Sequence, residues 1–513
     1  MNDLLQHDFL LLPDLIRHHA TRAAQRLALD DGAHHLTYGE LDTFMDRVAS
    51  ALQRDGLRPG DAVALCASSS TIYAAVFLGA LRAGVVVAPL APGATPQSLA
   101  RMAADAQARL LFTDAGTSQT LGITATPGIP RVTLDGSAAG RALADWLAPK
   151  PAGVAPVAVG PAAPFNIIYS SGTTGEPKGI VQSHGMRWTH VRRGAAYGYG
   201  SDTVTLLSTP LYSNTTLVVF FPTLAFGGTV RLMPKFDALA YLTLAQLHRV
   251  THTMLVPVQY QRLMAQPEFD RFDLSSFHMK FSTSAPFGAP LKADVLARWP
   301  GGLVEFYGMT EGGGTCILDA HVHPDKLHTV GRPAEGHDIR LIDEAGQELP
   351  PGETGEVVGH SGGMMTGYFG RPEQTREAEW FDPAGKRFIR TGDVGRFDAD
   401  GFLTLLDRRK DMIISGGFNI YPSDLEAVLR EHPAVLEAAV VGVPSEAWGE
   451  TPLAFVVRRA SHAAEPDELM AWVNARVGKT QRLSSVHLID DLPRSAIGKI
   501  LKRELRDRVL PSR

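Results

Sequence analysis

The stretch that decides the fold is YSSGTTGEPKG, residues 169–179, at the end of a predicted buried strand (165–170). Its glycines free the backbone to curl, so that successive N–H groups can face an anion. Further donors come from five hydroxyl or ammonium side chains: Ser170, Ser171, Thr173, Thr174 and Lys178. The pattern predicts a phosphate-binding loop. It departs from the Walker pattern, because Lys178 is followed by Gly179 rather than by Ser or Thr.

Short apolar runs alternate with helical patterns on both sides of this loop. Strands are predicted at 62–66, 85–90, 109–113, 204–208, 229–233, 253–257 and 303–307, with helices at 72–82, 239–250 and 289–299. Such alternation is typical of βαβ units and a largely parallel sheet. The Ala-, Gly- and Pro-rich segment 121–164 is predicted to be mainly surface connection.

The sequence pattern changes after about residue 337. Short strands with Gly and Asp turns (339–343, 355–360 and 401–406) predict a small barrel or antiparallel sheet. The charged run DRRKD at 407–411 predicts a boundary, and the remaining residues are enough for a small α+β domain. We therefore predict an α/β fold, with a large N-terminal domain of layered sheets and helices (1–409) and a smaller C-terminal domain (410–513).

Composition excludes several classes of protein. The 513 residues can form more than one core. A net charge of -5 gives no reason to expect nucleic acid or an anionic membrane as the main partner. Two distant cysteines exclude a disulfide framework and fit a reducing cytosol. The N-terminus lacks the pattern of a signal peptide, and no apolar run approaches the ~18 residues of a membrane span. A cytoplasmic location is expected.

Four more motifs follow the loop in order: YGMTE at 307–311, RTGD at 390–393, DRRKDMIISGGFNIYPSDLE at 407–426 and PRSAIGKILKREL at 493–505. Together the five resemble the signatures of the adenylate-forming enzymes, which include acyl-CoA synthetases, peptide-synthetase adenylation domains and beetle luciferases. The resemblance covers nearly the whole chain, and five motifs in order make it specific. Within this family, the chain is similar to the benzoate-type acid–CoA ligases.

The resemblance implies an AMP-forming acid–thiol ligase. Such an enzyme activates a carboxylic acid with ATP as acyl-AMP, releases pyrophosphate, and then transfers the acyl group to CoA, giving acyl-CoA and AMP. ATP and CoA are therefore expected as co-substrates and Mg²⁺ as cofactor. The small domain is expected to be mobile. The oligomeric state is open, with a homodimer the commonest arrangement among oligomers.

The resemblance also implies three catalytic residues. Glu311 would be the magnesium ligand, since a hard cation on ATP takes one or two carboxylates, and Thr310 would hydrogen-bond the α-phosphate. Lys499 would stabilise the crowded negative charge when a carboxylate attacks a triphosphate. Without the surrounding motifs, a single lysine near the tail would be a solvated surface residue.

A larger set is expected to bind ATP. In the resemblance, Tyr307 stacks on adenine, Asp393 accepts hydrogen bonds from the ribose hydroxyls, and Arg408 adds a ribose or phosphate contact. A core aromatic and a turn-capping Asp are the alternatives for Tyr307 and Asp393. The full set is Ser170, Ser171, Gly172, Thr173, Thr174, Gly175, Lys178, Ser284, Ala285, Pro286, Tyr307, Gly308, Asp393 and Arg408.

The thiol half-reaction is implied at three positions by the same resemblance. Gly416 and Gly417 would allow close approach of the pantetheine arm, with Trp448 beside it. Lys410 matches the family's hinge between the domains. Alternatives are an ordinary linker residue for Lys410 and a packing residue for Trp448.

Tyr212, Ser213, Thr283 and Gly308 are expected to line the acyl pocket. Two of these positions depart from the family pattern. Ser213 stands where many relatives have a gate His, and Thr283-Ser284 replaces a Gly-Gly pair. Small hydroxyls at these positions favour a pocket with polar character, and they leave the identity of the acid open.

Three rival functions fit the same motifs less well. A stand-alone adenylating enzyme that loads a carrier protein is the nearest, and Gly416, Gly417 and Trp448 favour CoA over it. An oxidative, luciferase-like use of the adenylate is a second. A non-catalytic binding protein would be expected to have lost Lys499, Glu311 or Asp393, and the chain retains them.

Overall fold

The computed structural model describes residues 7–122, 126, 128–150, 153–170, 178–408, 411–415, 418–446, 448–459, 462, 464–495 and 498–510. The chain divides into two compact units. Unit 1 comprises Met1–Leu327, Pro333–Asp338 and His360–Ile389. Unit 2 comprises His328–Arg332, Ile339–Gly359 and Arg390–Arg513.

The helices of the described residues are α1 (Leu12–Arg22), α2 (Tyr38–Arg54), α3 (Thr71–Arg82), α4 (Pro96–Asp105), α5 (Ala115–Leu121), α6 (Leu143–Trp146), α7 (His184–Gly194), α8 (Asn214–Ala225), α9 (Ala238–Leu247), α10 (Pro257–Met264), α11 (Ala289–Arg298), α12 (Pro372–Glu377), α13 (Pro422–Arg430), α14 (Pro466–Asn474) and α15 (Lys502–Val509).

The strands are β1 (Leu27–Asp30), β2 (His35–Thr37), β3 (Ala62–Cys66), β4 (Val86–Pro89), β5 (Ala108–Thr113), β6 (Arg131–Thr133), β7 (Arg141–Ala142), β8 (Pro164–Ser170), β9 (Lys178–Ser183), β10 (Val204–Leu207), β11 (Thr229–Leu232), β12 (His252–Leu255), β13 (Met279–Ser282), β14 (Gly302–Gly308), β15 (Thr315–Asp319), β16 (Arg332–Pro333), β17 (Asp338–Ile342), β18 (Thr354–His360), β19 (Gly367–Tyr368), β20 (Glu379–Phe381), β21 (Arg387–Phe397), β22 (Leu403–Arg408), β23 (Ile413–Ser415), β24 (Phe418–Ile420), β25 (Val435–Ser445), β26 (Gly449–Arg458) and β27 (Ser485–Leu488).

Unit 1 contains two sheets with mostly parallel strands. In the first, the order is β15-β14-β13-β12-β10-β11-β1-β2, and only β15 and β2 run antiparallel to their neighbours. In the second, the order is β19-β9-β8-β4-β3-β5-β6-β7, with β9 and β19 antiparallel. The main core includes the buried residues of α3 and α8, whose sequences are apolar on all sides because both helices are covered by other elements.

Unit 2 contains two small sheets. Strands β17, β18, β21 and β22 form one, in which β21 and β22 are antiparallel. Strands β24-β23-β26-β25 form the other, and β27 joins β26 in parallel. Residues of α13 and α14 belong to one of its cores, and Leu505 of α15 belongs to a second.

These units confirm the predicted fold class of a large N-terminal domain with layered sheets and a smaller α+β C-terminal domain. Both cysteines, Cys66 and Cys316, are buried and unbridged. Among the described residues, no helix is long and apolar enough to cross a membrane. The predicted domain boundary at 409/410 stays a prediction, because both residues lie outside the described ones. The surface-connection prediction for 121–164 was partly wrong, since β6, β7 and α6 lie there.

One buried lysine lies in the centre of the first sheet, at a position where an apolar residue would be expected. Lys280 lies on β13, and its Nζ donates to the carbonyls of Trp299, Pro300 and Gly301 at 3.1, 2.7 and 2.7 Å. Burial lowers the pKa of Lys280 to about 7. The three carbonyls oppose this shift, because only the ammonium form has a proton for each of them. Lys280 therefore anchors the connection between α11 and β14.

Replacing Lys280 with Met is expected to lower the thermal unfolding midpoint by roughly 5 °C or more, since each unpaired buried acceptor costs about 1–3 kcal/mol. Scanning calorimetry measures the midpoint. Lys235→Met is the matched control, because Lys235 is exposed. Equal midpoints for the two variants would show that the three carbonyls find other partners.

Candidate active site

The candidate site forms at the carboxyl ends of parallel strands in the first sheet. Strands β12, β13 and β14 are neighbours, with Leu255 paired to Ser282 and Ser282 to Glu305. The predicted segment 283–286 follows β13 directly, and the segment 307–311 begins with the last two residues of β14. In open α/β sheets, ligands bind outside these strand ends. Two segments that the motifs assigned to one site are therefore placed at one edge of the sheet.

Tyr368, which the motifs did not identify, contacts both Glu311 and Lys178. The Tyr368 hydroxyl donates to Glu311 Oε1 at 2.9 Å, and Lys178 Nζ lies 5.1 Å from the centre of the Tyr368 ring. Burial and the neighbouring Glu311 carboxylate both raise the pKa of Tyr368, so its hydroxyl stays protonated and can donate. The second Glu311 oxygen has no hydrogen-bond partner within the described part of the chain. A carboxylate with one fixed and one available oxygen fits a magnesium ligand.

Thr310 is held through its backbone by a buried polar network. The Thr310 carbonyl accepts a hydrogen bond from Gln182 Nε2 at 2.8 Å. Gln182 Oε1 accepts from the buried guanidinium of Arg187, which also donates to Asn166 Oδ1 and, at 2.8 Å, to Asn214 Oδ1. Burial lowers the pKa of Arg187 to about 9, so it remains charged at neutral pH. The network connects β8, β9 and α8 to the YGMTE segment.

The chain that follows Glu311 is packed backbone against backbone. Gly312 has φ +72°, and a Cβ there would overlap the carbonyl oxygen of Gly363. The Ser361 hydroxyl donates to the Gly312 carbonyl at 2.7 Å, and Met365 N donates to the Glu311 carbonyl at 2.7 Å. Residues 361–365 therefore fix the direction in which this loop leaves β14.

The predicted acyl-pocket residues lie around the same strand ends. Ser213 is buried and caps α8 by accepting from Thr215 N at 3.3 Å, while Tyr212 is half-buried. Thr215 Oγ1 lies 2.6 Å from Ser284 Oγ. Ser284 has φ +81°, a conformation that is strained for a residue other than Gly and is often found at functional sites. The hydroxyl pair shows that α8 and the 283–286 turn meet.

The other predicted residues of this edge differ in exposure. Thr283, Ala285 and Tyr307 are half-buried, whereas Pro286 and Gly308 are exposed. Gly308 pairs with Thr315 across β14 and β15.

In unit 2, the two residues predicted to contact the ribose lie opposite each other on neighbouring antiparallel strands. Asp393 on β21 is paired with Arg408 on β22. The Asp393 backbone N donates to Thr391 Oγ1 at 3.0 Å, and Thr391 Oγ1 donates to the Val357 carbonyl at 2.8 Å. The backbone of Asp393 is thus fixed within its own sheet.

Of the three CoA candidates, only Trp448 lies among the described residues. Residues 416–417 lie between β23 and β24, and Ser415 at the end of β23 pairs with Gly449. Trp448 precedes Gly449, and its side chain is 58% exposed. A tryptophan this exposed does not serve the core of unit 2, which disfavours the packing alternative.

Lys499 belongs to a short turn of unit 2. Ser495 N donates to the Lys499 carbonyl at 2.8 Å, and Lys499 N donates to Ser495 Oγ at 3.2 Å. Arg494 donates to Glu437 at 2.6 Å and so ties this turn to β25. The half-buried Lys499 is therefore carried by a fixed backbone.

Several predicted residues lie outside the described ones, and their assignments stay predictions. Side chains that are not described include those of Ser170 and Arg408. The residues outside entirely are Ser171, Gly172, Thr173, Thr174, Gly175, Lys410, Gly416 and Gly417.

The described residues contain no group of three or more His, Cys, Asp or Glu side chains that could hold a metal ion by themselves. Mg²⁺ bound to a nucleotide does not need such a group, because phosphate oxygens and waters supply most of its ligands. A single carboxylate such as Glu311 is consistent with this mode of binding.

Comparisons with known proteins agree with the motifs. The family description "AMP-binding enzyme" matches residues 16–369, and "AMP-binding enzyme C-terminal domain" matches residues 424–499. A feruloyl-CoA synthase from Amycolatopsis sp is 37% identical over 493 residues, which cover 94% of this chain and 95% of that protein.

Two solved structures share the fold along nearly the whole chain. ATP-bound MatB from Rhodopseudomonas palustris has a TM-score of 0.85 and 29% identity, covering 97% of this chain and 98% of that one. The o-succinylbenzoate CoA synthetase of Bacillus subtilis, in complex with its acyl-adenylate intermediate, has a TM-score of 0.82 and 26% identity, covering 98% of each chain.

The chain belongs to the AMP-binding enzyme family, the adenylate-forming enzymes that its five motifs resemble. The predicted class of enzyme, an AMP-forming acid–thiol ligase, is confirmed at this level.

Removing the Tyr368 hydroxyl should weaken metal use without unfolding the protein. Tyr368→Phe is expected to raise the Mg²⁺ concentration for half-maximal pyrophosphate release about 3–10-fold, the scale of one lost hydrogen bond, because Glu311 would no longer be fixed. Tyr241→Phe is the control, since Tyr241 donates to Thr253 at 2.7 Å in the core. An unchanged magnesium requirement in Tyr368→Phe would contradict the assignment of Glu311 to the metal site.

Proposed function

We propose that this protein is an ATP-dependent acid–CoA ligase. The carboxylate of the acid attacks the α-phosphorus of ATP and forms acyl-AMP as pyrophosphate leaves. The CoA thiol then attacks the acyl carbon, which forms the thioester and releases AMP. The observation that carries the proposal is the meeting of Lys178, Tyr368 and Glu311 at the carboxyl end of β14, where an ammonium and a metal-binding carboxylate would face the same phosphates.

The nucleotide is proposed to bind along this edge. The loop at 170–175 and Lys178 would hold the phosphates, with Thr310 at the α-phosphate. The direction of the Thr310 segment is supported by its hydrogen bond from Gln182. Asp393 and Arg408 are proposed for the ribose, which their direct pairing on β21 and β22 supports.

Glu311 is proposed to bind Mg²⁺ together with phosphate oxygens. When bound, the metal would neutralise part of the charge on the triphosphate. The residues of the chain then have two tasks: Tyr368 orients the Glu311 carboxylate, and Lys178 adds a second positive charge. Lys499 is proposed to stabilise the α-phosphate during adenylation.

The acid is proposed to be aromatic, with a three-carbon acid side chain. This is the type of acid for which the feruloyl-CoA synthase relative is named. Phe306 on β14 stacks on Phe281 of β13, with ring centres 5.6 Å apart, just before the strand ends. Thr215 and Ser284 add hydroxyls at the mouth of the same region. An aromatic body with polar groups around it fits these surroundings.

CoA is proposed as the thiol because Trp448 is exposed and precedes Gly449, which pairs with Ser415 at the end of β23. The alternative is a stand-alone enzyme that loads a carrier protein. The hinge at Lys410 remains a proposal from the motif, as does the mobility of the small domain.

A panel of acids tests the function directly. Substituted phenylpropenoic acids, benzoic acids and aliphatic acids are supplied with ATP, and AMP release is measured with and without CoA. We expect AMP release to require both an acid and CoA, with pyrophosphate exchange alone when CoA is absent. Failure of CoA to stimulate turnover, combined with acylation of a carrier protein, would favour the alternative. No adenylation of any acid would contradict the proposal.

Lys499→Ala should separate the two half-reactions. Acid-dependent pyrophosphate formation is expected to fall roughly 10²–10³-fold, the usual effect of losing one electrostatic stabiliser. Thioester formation from supplied acyl-AMP should change far less. Arg503→Ala is the control on the same segment, because Arg503 is exposed. Equal losses in both half-reactions would refute the assigned role of Lys499.

A further inference from the structure

Three cationic or donor side chains of unit 1 form a cluster that neither the motifs nor the adenylation residues include. The donor cluster consists of His190 and Arg193 on α7 and His337 after β16. Each keeps part of its surface accessible. Burial nevertheless lowers the pKa of each, and the charge of Arg193 lowers it further for both imidazoles. The three side chains are therefore partly buried but still accessible.

Both imidazoles have a defined tautomer. Arg187 Nη1, which can only donate, lies 3.4 Å from His190 Nδ1. The backbone N of Thr315 donates to His337 Nδ1 at 2.8 Å. Because Nδ1 accepts in each ring and both rings are neutral at pH 7, the proton of each lies on Nε2. Each ring therefore offers one N–H donor.

The cluster has donors without acceptors. Across the described residues, no hydrogen bond to a carboxylate or carbonyl is made by the Arg193 guanidinium or by either Nε2. The guanidinium lies 4.7 Å from the centre of the Phe306 ring, a contact that stabilises a cation but uses none of its N–H groups. These donor atoms are accessible and make no hydrogen bond to the described residues, so they are available to a ligand that accepts hydrogen bonds.

The position of the cluster distinguishes it from the reacting end of the site. Thr315, which holds His337, pairs with Gly308 at the end of β14. Arg193 lies over Phe306, two residues earlier on the same strand and hence ~7 Å farther from the strand end. Thr310 and Glu311 follow Gly308 in the opposite direction. Arg193 is thus at the far end of the region proposed for the acid, and His337 lies nearer the strand end.

We infer that the donor cluster binds an oxygen at the end of the acid remote from its reacting carboxylate, with Arg193 as the residue that selects for it. The inference rests on the proposed function, which supplies the acid. The oxygen is an acceptor, either a phenolic oxygen or a second carboxylate. An acid that ends in a bare ring would leave the cluster unpaired.

Three acids that differ only at this end test the inference: 3-phenylpropenoate and its 4-hydroxy and 4-carboxy derivatives. The kcat/KM of each is measured by AMP release for the wild type, Arg193→Met and Arg192→Met. Arg192 is the matched control, because it is the exposed neighbour on α7. Binding of each acid without ATP is measured in parallel by calorimetry.

The wild type and Arg192→Met are expected to prefer one or both oxygenated acids over 3-phenylpropenoate by roughly 10–100-fold, the scale of one charge-assisted hydrogen bond. Arg193→Met should lose this preference, mainly through KM, while its kcat/KM for 3-phenylpropenoate stays within about threefold. Arg193→Lys should keep part of the preference. A preference for the 4-carboxy acid identifies an anion, and one for the 4-hydroxy acid a phenol.

Equal use of the three acids by the wild type would overturn the inference, and so would a uniform loss for all three in folded Arg193→Met. If Arg193→Met does not fold, the wild-type preference and Arg193→Lys decide. Absence of AMP release with every acid would instead contradict the proposed function. In that case the calorimetric preference for an oxygenated acid, and its loss in Arg193→Met, still decide the role of the cluster.

Discussion

The burial of Arg187 is the constraint on which much of unit 1 depends. A guanidinium removed from water needs partners for its donors, and here these are the side-chain oxygens of Asn166, Gln182 and Asn214 rather than carboxylates. Phe165 and Phe221 cover its faces, with ring centres 5.7 and 5.4 Å away. Two strands and two helices must therefore keep their relative positions for this buried charge to keep its hydrogen-bond partners.

The choice of neutral partners also affects chemistry. A carboxylate beside Arg187 would cancel its charge, whereas amide oxygens leave a net positive charge inside the unit. Gln182 Nε2 donates to the Thr310 carbonyl and to Asn214 Oδ1. The same residues thus fix the backbone and maintain a field that favours anions at the strand ends, and preorganised charge of this kind is the main way in which enzymes stabilise a crowded transition state.

The sequence was most informative where a local pattern agreed with its surroundings. Residues 62–66 form β3 as predicted, because the run is apolar and buried on both faces. Strand β13 was not predicted, since Lys280 interrupts its apolar pattern and is buried only because three carbonyls lie nearby. The short strands and helix within 121–164 have too few residues to show a period.

In the site, too, residues in a local motif were easier to predict than residues whose role depends on tertiary contacts. Lys178 and Glu311 were proposed from the sequence, because phosphate and magnesium restrict the residue types that bind them, and the structure brings both to Tyr368. Tyr368 could not be predicted, since it lies on a two-residue strand with no motif around it. Arg187 and Arg193 look like solvated residues of a polar helix in the sequence HGMRWTHVRRG. Only the elements packed around α7 show that Arg187 is buried and Arg193 is half-buried.

Gly312 limits how this enzyme can diversify. No side chain fits between its Cα and Gly363, and its positive φ disfavours every L-amino acid, so mutation at this position leads to loss of the loop rather than to a new specificity. Changes in acid preference by single substitutions are therefore expected elsewhere, at side chains such as Thr215 on α8 or Thr315 on β15, whose backbone conformations any residue can adopt. The acyl region can drift through evolution while the segment that carries Glu311 stays fixed.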